Sequence, residues 1–266
     1  MRNVTISILA IAAMLPSAAQ GYPGGTPSYQ TNAAPYCSTC HSSRAAAALV
    51  GAGERAEKEV AERKHIALIL EGRGKGYAAL SENDRKTLAA QIRALDAAST
   101  VTLEAPATVQ RGQTFQVKVS VTGGAGPVVG VELVDLDHRW YARPATAVGW
   151  EVVMAPQIVG ADGMPANSWL EKRPEALGRN ITYVNIPGVS SNSATGEWGS
   201  AAVTFTLRAP DRAGDLPLAA AYLYGTEKST VLGYTTNAIG WKEVRGGTSG
   251  GSGRVLFTPV KTIRVE

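Results

Sequence analysis

Two periodicities divide the chain. From residue 42 to 98 there is no proline, and Ala, Glu, Lys, Arg and Leu dominate, as in helices. The stretch "SSRAAAALVGAGERAEKEVAERKHIALILEG" predicts one or two helices with a break near Gly51 and Gly53, and "GRGKGY" (72–77) predicts a loop. "LSENDRKTLAAQIRALDAAS" is the clearest helical segment. Ser81 is its expected N-cap, Asp84 sits at the third helical position, and Leu88, Ile92 and Leu95 fall on one face. After about Ser99 the period becomes two. In "VTLEAPATVQRGQTFQVKVSVTGG", Phe115, Val117, Val119 and Val121 alternate with Gln116, Lys118 and Ser120, which predicts a half-buried strand ending at a Gly-Gly turn. "VVGVELVDL", "NITYVNI", "SAAVTFTLRAP", "LPLAAAYLYG" and "RVLFTPVKTIRV" are further short strand-like runs separated by Gly, Pro, Asn or Asp, and "RGGTSGGSGR" (245–254) reads as a loop. Short strands without intervening helices predict an antiparallel β-sandwich. The expected fold class is therefore α+β in two domains, a small all-α domain over 22–99 and a β-sandwich over 100–266.

The first 21 residues belong to neither domain. "MRNVTISILAIAAMLPSAAQG" has a basic start at Arg2, an apolar run from Val4 to Leu15 and small residues at Ser17, Ala18 and Ala19. This is the layout of a secretory signal peptide, and the run is short for a membrane span. Cleavage is expected after Ala19 or Gly21, leaving a protein with no transmembrane segment, in the periplasm or outside the cell. Residues 22–36, rich in Pro, Gly and Ser, form an irregular lead-in. Net charge is +4, and losing Arg2 leaves +3 because residues 1–21 hold no acid. That is too mild for a nucleic-acid partner.

Chemistry concentrates at "PYCSTCHSS" (35–43), which holds both cysteines, Cys37 and Cys40, and one of the three histidines, His41. A redox disulfide of this spacing normally follows a strand in a βαβ pattern, whereas this pair lies between a Pro-rich loop and a helical stretch. A structural zinc needs four ligands, and the cluster supplies at most three. C-x-x-C-H is the attachment pattern of haem c. The two thiols add to the porphyrin vinyl groups, and His41 supplies a nitrogen to the iron. Export places the chain where such attachment occurs.

With "CSTCH" at the start and "HIALILEGRGKGYAALSENDRKTLAAQIRAL" at the end, residues 35–98 resemble a shortened class I c-type cytochrome. The resemblance covers about a quarter of the chain. Ser81, Leu88, Ala89 and Ile92 match the family's C-terminal helix. It implies one covalent haem c on Cys37 and Cys40, His41 on the iron, and electron transfer to redox protein partners rather than enzymatic turnover. The family's usual second ligand, a Met just before the last helix, has no counterpart, because Lys75, Gly76 and Tyr77 stand there. His65 is the first candidate for that position. Lys75, Met164, Met154 and His138 are others, and an open iron would imply a haem sensor or enzyme. "APATVQRGQTFQVKVSVTG" is similar to the first strands of bacterial immunoglobulin-like domains, and "GSAAVTFTLRAPDRAGDLPLAAAYLYG" resembles late strands of Reelin-like domains. A surface-binding β-protein with an accessory haem is a third reading. Asp135 and Asp137 of "DLDH" are carboxylates at one strand end, and all five tryptophans lie in the β half.

Overall fold

The helix begun by Ser81 runs where the periodicity places it. In the computed structural model, which describes residues 62–73, 77–136, 142–166, 182–226, 233–236, 242–245 and 253–266, α2 spans Glu82–Ala98. The Ser81 hydroxyl accepts the Asp84 amide at 3.1 Å, satisfying one of the orphan N–H groups of the first turn. Leu88, Ala89, Ile92 and Leu95 are buried. Before it, a π-turn over Glu62–Ile66 leads directly into the one-turn helix α1, Ala67–Leu70. Gly72 ends this segment in a Schellman motif. Its φ is 65°, its N–H reaches Ile69 O, and the Arg73 N–H reaches Leu68 O. A methyl group there would meet the Arg85 guanidinium at 2.7 Å, and that guanidinium is itself held by Leu80 O. The two helical segments close on Ile66, Ile69, Tyr77, Leu80, Leu88, Ala89 and Ile92, and the Arg93 guanidinium pairs with Glu62 across them.

The rest is a two-sheet β-sandwich. In the first sheet β1 (Thr100–Glu104) pairs with β3 (Thr114–Thr122), and β3 pairs with β8 (Ser200–Arg208). Two short strands, β5 (Glu151–Val152) and β6 (Gln157–Val159), share the far edge of β8. The predicted alternation of β3 holds. Phe115, Val117, Val119 and Val121 point inward, opposite Leu207, Phe205, Val203 and Ala201 of β8. Burying each large side chain contributes about 1.5–3 kcal/mol. The register matters as much as the composition, since a slip of β3 by one residue would turn its four outward.

The second sheet has the order β2 (Thr108–Val109), β13 (Lys261–Val265), β9 (Gly214–Gly225), β4 (Ala125–Val134) and β7 (Tyr183–Pro187). The other strand beside β9 is β12 (Gly253–Phe257). β12 and β13 are two parts of one edge, separated by Thr258, Pro259 and Val260. Thr258 bridges the gap, because its hydroxyl accepts the Ala220 N–H and its own N–H donates to Ala220 O. The opening strand of the sandwich divides between the sheets. β1 is antiparallel to β3, and β2, just after Pro106, is parallel to β13. A separate two-stranded ribbon joins β10 (Gly233–Thr236) to β11 (Lys242–Arg245).

β9 is the central strand, apolar on both faces, as "LPLAAAYLYG" requires. Leu216, Leu218, Ala220, Tyr222 and Tyr224 enter the main core between the sheets. Ala219, Ala221 and Leu223 lie in a second cluster with Tyr183, Val134, Val255 and Phe257. Trp150 seals one end of the main core. Its indole N–H donates to Pro217 O at 3.0 Å, and its ring meets Phe115 edge-on at 5.5 Å.

Among the described residues, one predicted loop differs from the fold. "RGGTSGGSGR" reads as a loop over 245–254, but Arg245 ends β11 and Arg254 lies within β12, fully buried. Residues 246–252 lie outside the described residues. A lone arginine beside glycines carries no local signal of burial, because its partner is distant in sequence.

Candidate functional site

Cys37, Cys40 and His41 lie outside the described residues, as do Lys75, His138 and Asp137. The described helical residues, 62–73 and 77–98, follow the motif in sequence. His65 falls in the π-turn, one residue before the buried Ile66; its side chain is outside the description. Met154 follows β5 and Met164 lies in the turn after β6. Their side chains are exposed, at 58% and 62%, on that edge of the sandwich. Asp135 is committed elsewhere. It is 1% exposed, and the backbone N–H and Nε of Arg143 donate to its two oxygens, both at 2.7 Å. Of the tryptophans, Trp150 is core and Trp198 is half-buried, while Trp140, Trp169 and Trp241 are outside the described residues. Among the described residues no three His, Cys, Asp or Glu side chains gather as a metal group, and no helix is long and apolar enough to cross a membrane.

The polar constellation that the structure does assemble lies where α2 meets the sandwich. Its three members come from positions 96, 224 and 254. Asp96 Oδ1 accepts the Tyr224 hydroxyl at 2.9 Å, and Asp96 Oδ2 accepts Arg254 Nε at 3.0 Å. The Arg254 side chain is 0% exposed and that of Asp96 18%. Tyr224 stacks on Tyr222, with ring centroids 5.0 Å apart, and the Tyr222 hydroxyl donates to Gly123 O. Complete burial pushes the Tyr222 phenol well above its ordinary range, so it stays a neutral donor.

Backbone groups complete the joint. The helix passes into β1 through Ser99 alone. The Ser99 hydroxyl donates to Leu95 O and accepts the Gly124 N–H. Gly123 and Gly124 turn the chain from β3 into β4 at φ 77° and 69°. A methyl group on Gly123 would lie 2.7 Å from Ser99 Cα, so glycine is required both for its φ and for the close approach.

Sequence reasoning about strands and caps did not single out Asp96, Tyr224 or Arg254. One signal was available. Asp96 sits near the C-terminal end of α2, where the helix dipole favours a cation, and the last turn holds no basic residue. An acid placed there calls for a cation from elsewhere, and Arg254 supplies it.

The β-rich half is legible in its alternation, and the helical half in its cap and apolar face. A scan against protein-family models and a search of curated proteins find no match to this chain.

Proposed function

We propose that the chain is an exported monohaem c-type cytochrome that carries electrons between redox partners in the periplasm or outside the cell. The observation that carries this reading is the single "CSTCH" behind a signal-peptide layout. Cys37 and Cys40 hold the porphyrin covalently, and His41 ligates the iron. When bound, the haem would supply a one-electron couple whose potential the protein ligands tune. The capped α2 and its contact with the turn before α1 agree with the family's last two helical segments, and the cluster from Ile66 to Ile92 provides the apolar packing such a segment needs. His65 is the proposed second ligand. Its place in a π-turn fits this role, because single π-turns recur at functional sites.

For the β half we propose an immunoglobulin-like sandwich that docks the carrier to a partner. The support is the strand order β1-β3-β8-β5 against β2-β13-β9-β4-β7, with the first strand shared between sheets.

Expression in a haem-attaching host tests the first reading. The denatured wild-type chain should retain a haem absorbance and the added mass of one haem, and the Cys37→Ala/Cys40→Ala variant should retain neither. A wild-type chain without covalent haem overturns the proposal. Low-temperature electron paramagnetic resonance of the oxidised protein assigns the second ligand. A low-spin bis-histidine signal lost in His65→Ala supports His65. The lack of Met between residues 15 and 153 favours one alternative, a sensor or enzyme with an open iron. Carbon monoxide would then shift the Soret band of the reduced wild type at once.

A further inference from the structure

We propose that Asp96 latches residues 62–98 to the sandwich, so that the two parts open together and the sandwich sets the orientation of the helical segment. This goes beyond haem attachment and holds whether or not Cys37 and Cys40 carry a haem. Units joined in one chain move relative to each other by default unless their interface is large or unusually strong. Two features remove that freedom. The connection has no slack, since α2 ends at Ala98 and β1 begins at Thr100. The interface holds a buried cation, Arg254, whose Nε donates to Asp96, while Tyr224 donates to the other Asp96 oxygen. Lifting α2 away would withdraw that carboxylate from an arginine with 0% side-chain exposure, which is a costly state. Ser99 adds a second hold through Leu95 O and the Gly124 N–H. Asp96 is a positioning residue in this scheme. It acts on the helical segment through Arg254 and Tyr224.

Hydrogen exchange of the full exported chain across a urea series tests the latch. In the wild type, amides of Leu88 to Leu95 and amides of β3 should exchange through the same opening, with equal urea dependence. In Asp96→Asn the α2 amides should exchange about 10²–10³-fold faster with a small urea dependence, while β3 stays protected. Tyr224→Phe, which keeps the ion pair, should shift the α2 amides the same way by about tenfold. It carries the test if Asp96→Asn does not fold. Asp96→Leu combined with Arg254→Met should return the slow class to both segments. Two results overturn the proposal: wild-type α2 amides that exchange by their own small opening while β3 stays closed, or variants that speed α2 and β3 by equal factors.

Discussion

Two aspartate–arginine pairs on neighbouring strands of this protein have nearly the same geometry and very different surroundings. Arg254 of β12 reaches Asp96 at 3.0 Å, and Arg264 of β13 reaches Asp215 at 3.1 Å. In the first pair the side chains are 0% and 18% exposed, and in the second 63% and 53%. Water screens the outer pair and takes up either charge if the other is lost. At the inner pair removing Asp96 takes a carboxylate away from a desolvated guanidinium, where burial keeps water from screening the change. Distance alone ranks the pairs as equals. Burial makes the inner pair structurally decisive.

The largest effect should come from breaking the inner pair. Asp96→Ala is expected to lower the opening free energy of α2 by about 3–5 kcal/mol, read from hydrogen exchange of the Leu88 to Leu95 amides. Removing both charges with Asp96→Leu and Arg254→Met should recover most of that loss, and a double variant as unstable as the single one would locate the cost elsewhere. Next comes Gly123→Ala, with an expected loss of at least about 2 kcal/mol, because alanine must adopt a positive φ and its methyl faces Ser99 Cα. Tyr222→Phe should cost about 1–2 kcal/mol by leaving Gly123 O without its donor.

Tyr222 also predicts a pH effect of known sign. Burial raises its folded pKa, so its contribution is complete below the unfolded value of about 10 and is lost as pH rises above it. Thermal unfolding should therefore show a steeper alkaline decline in the wild type than in Tyr222→Phe.

The smallest effect should come from the outer pair. Asp215→Asn is expected to leave the urea midpoint near that of the wild type, with any difference vanishing in 1 M salt. The hydrogen bond and charge of Arg264 hold the Asp215 carboxyl below its ordinary value. Its contribution is present above the unfolded pKa of about 3.9 and fades as pH falls through the lower folded one. A large loss in Asp215→Asn at neutral pH would break the comparison.

What could be read in advance was local. The Ser81 cap, the buried face of α2 and the inward set of β3 each follow from residues within one element, and all three are present. The helix-to-strand boundary near Ser99 was legible for the same reason, since the period changes there. The closeness of that boundary was not. Arg254 stands in a glycine-rich stretch and looks solvated until β12 pairs with β9 and brings it beside Tyr224. The edge strands β5 and β6 are too short for a periodic signal, as are β10 and β11. Cysteine spacing is legible without any fold, because the C-x-x-C-H pattern of "CSTCH" lies within five consecutive residues.

The inner pair also fixes an order of events during synthesis. Asp96 leaves the ribosome, and crosses the membrane if the leader acts, long before Arg254, which follows 158 residues later. Tyr224 arrives 128 residues after it. The segment bearing "CSTCH" is thus complete while the strand that will clasp its last helix is still missing. Any chemistry at Cys37 and Cys40 has that interval in which to proceed on an unclasped segment. A chain cut short before Arg254 would never close the joint.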